Sequence, residues 1–300
     1  MESKIKFSKL FDKDHVGYFF ILPSLLIIFI FTIMPLFEAF GIAATDMNIF
    51  MSKWNFTGME NFIRSFQDER LLNSFKNTAI FVLFNVPIQI AISLVLAFWL
   101  YQSTWFSKFC RSVYYIPVLC SSTAVGIIFN LMLNSTVGYI PYIISKFTGE
   151  PIALFAEEKY AMAVIIFLSI WKSFGKTVII LVSGINNISS TYFEASEIDG
   201  ANKFQQFIYI TIPNLLPTLN FILLTSIIGA FQVFDIVYVT TGGGPNFTTE
   251  TIVQYIYNRG FSAPYEVGYA SAMAVELFII IAVIILFFKG FMERKIEKTF

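Results

Sequence analysis

Apolar residues in this chain neither alternate nor form narrow stripes; they run. Six stretches, roughly 16–44, 77–101, 112–133, 160–185, 218–241 and 267–288, are apolar nearly throughout. About twenty apolar residues, rising 1.5 Å each, span a bilayer core, so each stretch predicts a membrane-crossing helix. A helix satisfies its own backbone N–H and C=O groups, which a chain in hydrocarbon requires. The expected fold is an all-α integral membrane protein with six transmembrane helices. The first run, from Val16, is too long and too poor in small residues for a cleaved leader, and reads as an anchor that stays.

The polar interruptions carry the remaining information. The longest in the C-terminal half is Glu194 to Pro213, EASEIDGANKFQQFIYITIP. Thr191 and Glu194 have capping-box spacing and predict a helix start. The helix runs through Ala195, Ser196 and Ile198, and Asp199-Gly200 ends or bends it, because glycine tolerates the left-handed conformation that commonly closes helices. A second turn begins near Ala201, with Phe204, Phe207 and Ile208 on one face. Pro213 and Pro217 lead into the next apolar run. Glu194, Glu197 and Asp199 occupy the other face. Such an element, greasy on one side and acidic on the other, is built for docking. Earlier in the chain, Asn61–Phe75 places Phe62, Phe66, Leu71, Leu72 and Phe75 on one stripe, which predicts a single helix lying over the span ends. Gly242-Gly243-Gly244-Pro245 predicts a turn.

Composition agrees with the membrane reading. The chain of 300 residues is 56% hydrophobic and 13% charged, against about a quarter charged in soluble domains. Twenty basic and twenty acidic residues cancel, so no global field attracts nucleic acid. Cys110 and Cys120 lie at or in apolar runs with no ligand cluster around them, and read as buried small hydrophobes. The lone histidine, His15, belongs to the charged N-terminal tail. With the N-terminus in the cytoplasm, eleven basic residues fall inside, seven outside, and Lys172 and Lys176 within a span. This bias places tails 1–15 and 290–300, and the 186–217 loop, on the cytoplasmic side of a six-span domain covering 16–289. Gly175-Lys176-Thr177 imitates the end of a phosphate-binding loop. The position where that pattern needs its first glycine is Ile170, and the stretch is intramembrane, so the chain has no ATP site of its own.

Glu194-Ala195-Ser196, then Gly200, then Ile210 and Ile212-Pro213, resembles the EAA loop of bacterial ABC-importer permeases. Ser196 stands where the family has a second alanine, and Ile212 where it has leucine. Nearly the whole chain shares the resemblance: Gly58-Met59-Glu60-Asn61-Phe62, Asn77-Thr78, Tyr114-Tyr115-Ile116-Pro117, Phe231-Gln232-Val233-Phe234-Asp235 and Thr241-Gly242-Gly243-Gly244-Pro245 are similar to family motifs. The last two resemble the carbohydrate-uptake branch, and within it the MalF-type subunit, whose large outer insertion is absent here. The resemblance implies a type I importer bundle with a cytoplasmic EAA coupling helix, in the bacterial cell membrane. It implies as partners a second permease subunit, a cytoplasmic ATPase dimer holding ATP and Mg, and an extracytoplasmic sugar-binding protein. The function implied is binding-protein-dependent, ATP-driven import of a sugar, with an oligosaccharide favoured. The chain itself is then no enzyme and holds no cofactor or metal. Glu194, Ala195, Ser196, Asp199, Gly200 and Ala201 become the ATPase-coupling residues, with Glu194 facing a cleft of the ATPase.

Polar groups in hydrocarbon are costly and mark functional positions. Trp171, Lys172, Lys176, Phe231, Gln232, Asp235 and Glu276 are therefore the candidates for the substrate path. Trp171 and Phe231 offer stacking surfaces to the C–H faces of a sugar. Lys172 and Lys176 lie one helical turn apart. Glu276, at a depth within about 5 Å of Lys172, is expected either to neutralise one of them or to be satisfied separately. The competing reading is a secondary carrier driven by an ion gradient, with those charges forming its ion site. Such a carrier has no use for the docking loop. An intramembrane enzyme lacks paired aspartates, a Ser/His pair or spaced histidines in the spans.

Overall fold

The computed structural model describes residues 13–50, 54–150 and 152–297. Residues 1–12 of the expected N-terminal tail and 298–300 of the C-terminal one lie outside the described residues. The first apolar run is helix α1 (Lys13–Ile28), a π turn over Phe29–Ile33, and α2 (Met34–Ala43). The π turn ends two residues before Pro35, whose ring has no N–H to donate and would clash with the carbonyl four residues back. Helix α3 (Glu60–Ser65) is short. Helix α4 (Glu69–Leu100) starts at Asp68, whose carboxylate accepts from the backbone N–H of Arg70 and Leu71. That cap corrects the single helix expected over Asn61–Phe75: Phe62 belongs to α3, and Leu71, Leu72 and Phe75 to α4.

The expected third span is broken. Helices α5 (Trp105–Leu119) and α6 (Ser122–Met132) meet at 93°. Pro117 removes a helical donor, and Cys120 adopts an extended backbone. Helix α7 (Tyr139–Thr148) and the long α8 (Glu158–Asn186) follow. The polar segment forms α9 (Ser190–Ile198), α10 (Lys203–Gln206), a π turn over Phe207–Thr211, and α11 (Ile212–Asn214). This second π turn again stops two residues before a proline, Pro213. Helices α12 (Leu216–Phe231), α13 (Asp235–Thr240), α14 (Ile252–Phe261) and α15 (Val267–Glu297) complete the chain. Among the described residues, five segments are long and apolar enough to cross a membrane: Phe20–Ala43, Glu69–Leu100, Glu158–Asn186, Leu216–Thr240 and Val267–Arg294. The bent α5–α6 pair makes a sixth when taken as one span.

The chain divides into two compact units, Met1–Ser65 with Asn258–Glu276, and Phe66–Tyr257 with Leu277–Phe300. In the larger unit, Val178, Leu181, Val182 and Ile185 form the buried stripe of α8. They pack with Ala97 and Leu100 of α4, Ile222 of α12, and Leu215 just before it. A Cβ on Gly175 would overlap the Tyr114 carbonyl oxygen. This glycine therefore lets α5 lie backbone-to-backbone against α8, which accounts for the phosphate-loop imitation. Outward-pointing Trp99, Phe167 and Phe221 stay exposed, as lipid-facing side chains would. Cys110 and Cys120 are free thiols, and Cys120 is exposed, not buried as its sequence context suggests. In the smaller unit, Ala43, Ala272 and Val275 form a core against Phe62. Asn61 of the Gly58–Phe62 motif donates to the Ala43 and Thr45 carbonyls, at 2.9 and 2.8 Å. Arg64 grips Glu266 with two bonds, 2.8 and 3.0 Å.

Candidate functional site

Within the larger unit, α4, α8, α12 and the break before α13 enclose a cavity of about 450 Å³. Ligand pockets run from about 300 to 1,000 Å³, so its size suits a small molecule. Ser169, Lys172, Ser173, Lys176 and Thr177 line it from α8, at helical spacing that puts all five on one face. Asn85 and Gln89 enter from α4, and Thr225 and Ser226 from α12. Gln232 and Asp235 flank the break, where Phe234 leaves helical geometry (φ −139°, ψ −63°). The Thr251 hydroxyl donates to the Val233 carbonyl that the break would otherwise orphan, at 2.9 Å. Lys172 is the middle residue of α8, about 21 Å of helix from either end.

Polar and apolar side chains share the cavity wall, and some of the polar ones satisfy one another or their own backbone. Gln89 Nε2 donates to Thr177 Oγ1 at 2.9 Å, both side chains being buried. The Ser173 and Thr225 hydroxyls donate to carbonyls of their own helices, which leaves their oxygens as acceptors. Asn85 is 5% exposed, and its Nδ2 has no acceptor among the described residues.

Four of the seven substrate-path residues thus meet in one cavity: Lys172, Lys176, Gln232 and Asp235. The other three lie elsewhere. Trp171, one residue along from Lys172, turns about 100° around the helix. It faces an apolar cavity of about 660 Å³ with Ile88, Phe167 and Phe174, and meets the edge of Phe129 at 5.4 Å between ring centres. Phe231 is buried and does not line the polar cavity. Neither aromatic ring is a stacking surface of that cavity. Glu276 belongs to the smaller unit, where it accepts from the Ser65 hydroxyl. Sequence reasoning missed Asn85, Gln89 and the hydroxyls. The signal for the first two was present: two amides four residues apart in an otherwise apolar run.

The docking segment also folds somewhat differently from expectation. The cap of α9 is Ser189, whose hydroxyl accepts from Thr191 N, not the Thr191–Glu194 box. The helix ends where expected. Gly200 takes φ +79°, Gly200 N donates to Glu197 O, and Ala201 N to Ser196 O, the bond pair of a Schellman end. The capping box lies one helix later, between Asn202 and Gln205. Phe207 packs tilted against Phe98 of α4, with 4.7 Å between ring centres. Phe204, expected on the same buried face, is 72% exposed, and the fully buried residue of this turn is Gln206, at 1%. Gln206 Nε2 donates to Ser196 Oγ at 2.9 Å, and Lys203 Nζ donates to Gln206 Oε1 at 3.2 Å. Lys203 also pairs with Glu197 at 2.7 Å. Its hydrogen bond, followed by that of Gln206, holds the Glu197 carboxyl below the usual range. Glu197 is therefore engaged within the elbow, while Glu194 and Asp199 stay exposed. Ser196, which departs from the family alanine, ties α9 to α10 together with Glu197.

A third feature sits beyond the break. Arg70 holds the carboxylate of Glu250 with two bonds, 2.7 and 2.8 Å, and its guanidinium lies 3.7 Å from the centre of the Phe247 ring. Asn77 donates to the Phe247 and Glu250 carbonyls, and Thr78 accepts from Ile252 N. Asn77-Thr78 therefore fastens the glycine-rich turn and the residues after it to α4.

The profile described as "binding-protein-dependent transport system inner membrane component" matches residues 89–298. The chain belongs to this family. This permease is 32% identical over 290 residues to the probable ABC transporter permease protein YesP of Bacillus subtilis (strain 168), covering 94% of this chain and 92% of that one. It is 31% identical over 292 residues to the lactose transport system permease protein LacF of Rhizobium radiobacter, covering 94% and 96%. Its fold matches a crystal structure of a bacterial ABC transporter involved in the import of the acidic polysaccharide alginate. The TM-score is 0.82 at 22% identity, over 96% of this chain and 99% of that one. Family membership leaves the gradient-driven carrier without support.

Proposed function

We propose that this permease forms half of the passage of an ATP-driven importer for a sugar, with an oligosaccharide as the favoured size. The observation that carries the reading is the cavity at the middle of α8, walled by hydroxyls, amides and lysines in an otherwise apolar bundle. Sugar hydroxyls need paired donors and acceptors, and this wall supplies both. The relative named for lactose transport supports the saccharide class. A second permease subunit completes the passage. An extracytoplasmic binding protein delivers the sugar, and a cytoplasmic ATPase dimer holds the ATP and Mg. Both chain ends and the 186–217 loop face the cytoplasm, and the membrane is the bacterial cell membrane.

Coupling runs along one continuous piece of chain. Helix α9 presents Glu194 and Asp199 to the ATPase, with Ala195, Ser196, Gly200 and Ala201 shaping the elbow. The Ser196–Gln206 bond and the Lys203–Glu197 pair hold α9 against α10. From there the π turn and α11 lead into α12, a rod about 24 Å long at helical rise. Its far end is the break at Gln232–Phe234 that borders the cavity. When ATP draws the ATPases together, the elbow moves and α12 carries that displacement to the cavity wall. The coupling requires the ATPases to bind the inward-open and outward-open states with different free energy.

The test is reconstitution of the four-component complex in proteoliposomes. Binding-protein-dependent import of a labelled saccharide that requires ATP supports the reading. Import that persists without ATP and collapses with an ionophore overturns it.

A further inference from the structure

We infer that the cavity takes an anionic saccharide, one carrying a carboxylate or a phosphate; this rests on the reading of the cavity as the sugar path. Two ammonium groups, Lys172 and Lys176, line it from consecutive turns of α8, and its single acid is Asp235. The cavity therefore has an excess of one positive charge, in a chain whose basic and acidic residues cancel. Among the described residues neither lysine makes an ion pair or a hydrogen bond, whereas Lys203 and Lys289, outside the cavity, both sit in ion pairs.

The depth of the lysines makes this arrangement informative. At the centre of α8, Lys172 is about 21 Å of helix from either end, too deep to snorkel outward as a lysine near a helix end does. A charge held there is stable only with a counter-charge or water. A water-filled passage supplies the water, and a bound anion supplies the counter-charge. The neighbouring groups point to the same chemistry. The buried Asn85 amide offers N–H bonds with no acceptor of its own among the described residues, and Gln232 adds a second amide at the same wall. Two ammonium groups and an unspent amide donor suit a ligand with more acceptors than donors, which a carboxylate or phosphate is. The Ser173 and Thr225 oxygens, already donating to backbone, are left to accept from the sugar hydroxyls.

The experiment offers the assembled complex, with ATP and binding protein, three labelled trisaccharides of equal length: a neutral galactan, a galacturonan and a phosphorylated galactan. We expect import of at least one anionic sugar to exceed that of the neutral one by tenfold or more. Which anionic arm is carried distinguishes carboxylate from phosphate. The Lys172→Gln/Lys176→Gln double variant should bring that ratio toward one, and Lys172→Arg/Lys176→Arg should retain it. If the double Gln variant does not assemble, the single variants, each lowering the ratio, serve instead. Equal or faster import of the neutral galactan, or an anionic preference that survives loss of both lysines, overturns the inference while leaving sugar import intact. Failure to import any of the three with ATP overturns the underlying sugar-path reading as well.

Discussion

Arg70 and Glu250 make the strongest test of how the turn after the break is held. The Glu250 side chain is 1% exposed and the Arg70 side chain 38%. Arg70→Met keeps the aliphatic stem and removes the guanidinium, leaving a buried carboxylate without it. Breaking a fully buried pair costs about 3–5 kcal/mol. Because Arg70 is partly in solvent, the low end applies, about 3 kcal/mol, or roughly a hundredfold in the folded ratio. Loss of the contact with the Phe247 face adds about 0.5–1 kcal/mol. The Arg70→Met/Glu250→Met double variant removes the stranded charge too, so it should recover most of the loss. Thermal unfolding of the purified complex, read as a double-mutant cycle, measures this. Unchanged stability in Arg70→Met, or a double variant as unstable as the sum of the singles, refutes the reasoning.

Three further outcomes follow from the same geometry. Gln206→Leu removes a buried amide that joins α9 to α10; it should cost about 1–3 kcal/mol and lower ATP-driven import more than ATPase activity, and equal losses in both would count against the elbow as a transmitter. Gly175→Ala places a Cβ against the Tyr114 carbonyl and should lower the yield of folded permease, whereas Gly290→Ala, with open space around it, should not. Glu197 sits below the usual carboxyl range because of Lys203, so the pair's stabilisation is complete above the ordinary glutamate value and fades as pH falls through the lowered one. Carboxyl NMR titration should therefore find the Glu197 midpoint rising in Lys203→Met, and an unmoved midpoint would exclude the pair.

The sequence pattern exposed much of this molecule, because hydrocarbon leaves a chain few options. The apolar runs could only be helices, and α8 spans 158–186 against an expected 160–185. The bend between α5 and α6 was not read from the sequence, because Pro117 and the short polar step Ser121-Ser122-Thr123 can both be accommodated inside a continuous membrane helix. The end of α9 was legible, since Asp199-Gly200 encodes its own geometry. Its start was not, because Ser189 and Thr191 are both competent caps and the sequence alone does not choose between them. Burial of Gln206 in place of Phe204 reverses the ordinary preference, and the hydrogen bonds of its amide to Ser196 and Lys203 explain it. In the cavity, periodicity placed Lys172 and Lys176 together. It could equally have excluded Trp171, whose position one residue away puts it on another face.

Under the proposed function, α9 is the handle through which a separate ATPase works this permease. The most direct measurement is ATP-driven import by complexes carrying Glu194→Lys, with attachment of the ATPase followed by co-purification. Both should fall by at least tenfold, while helix content and assembly with the second permease are retained. Full attachment and full import with the charge reversed would contradict it.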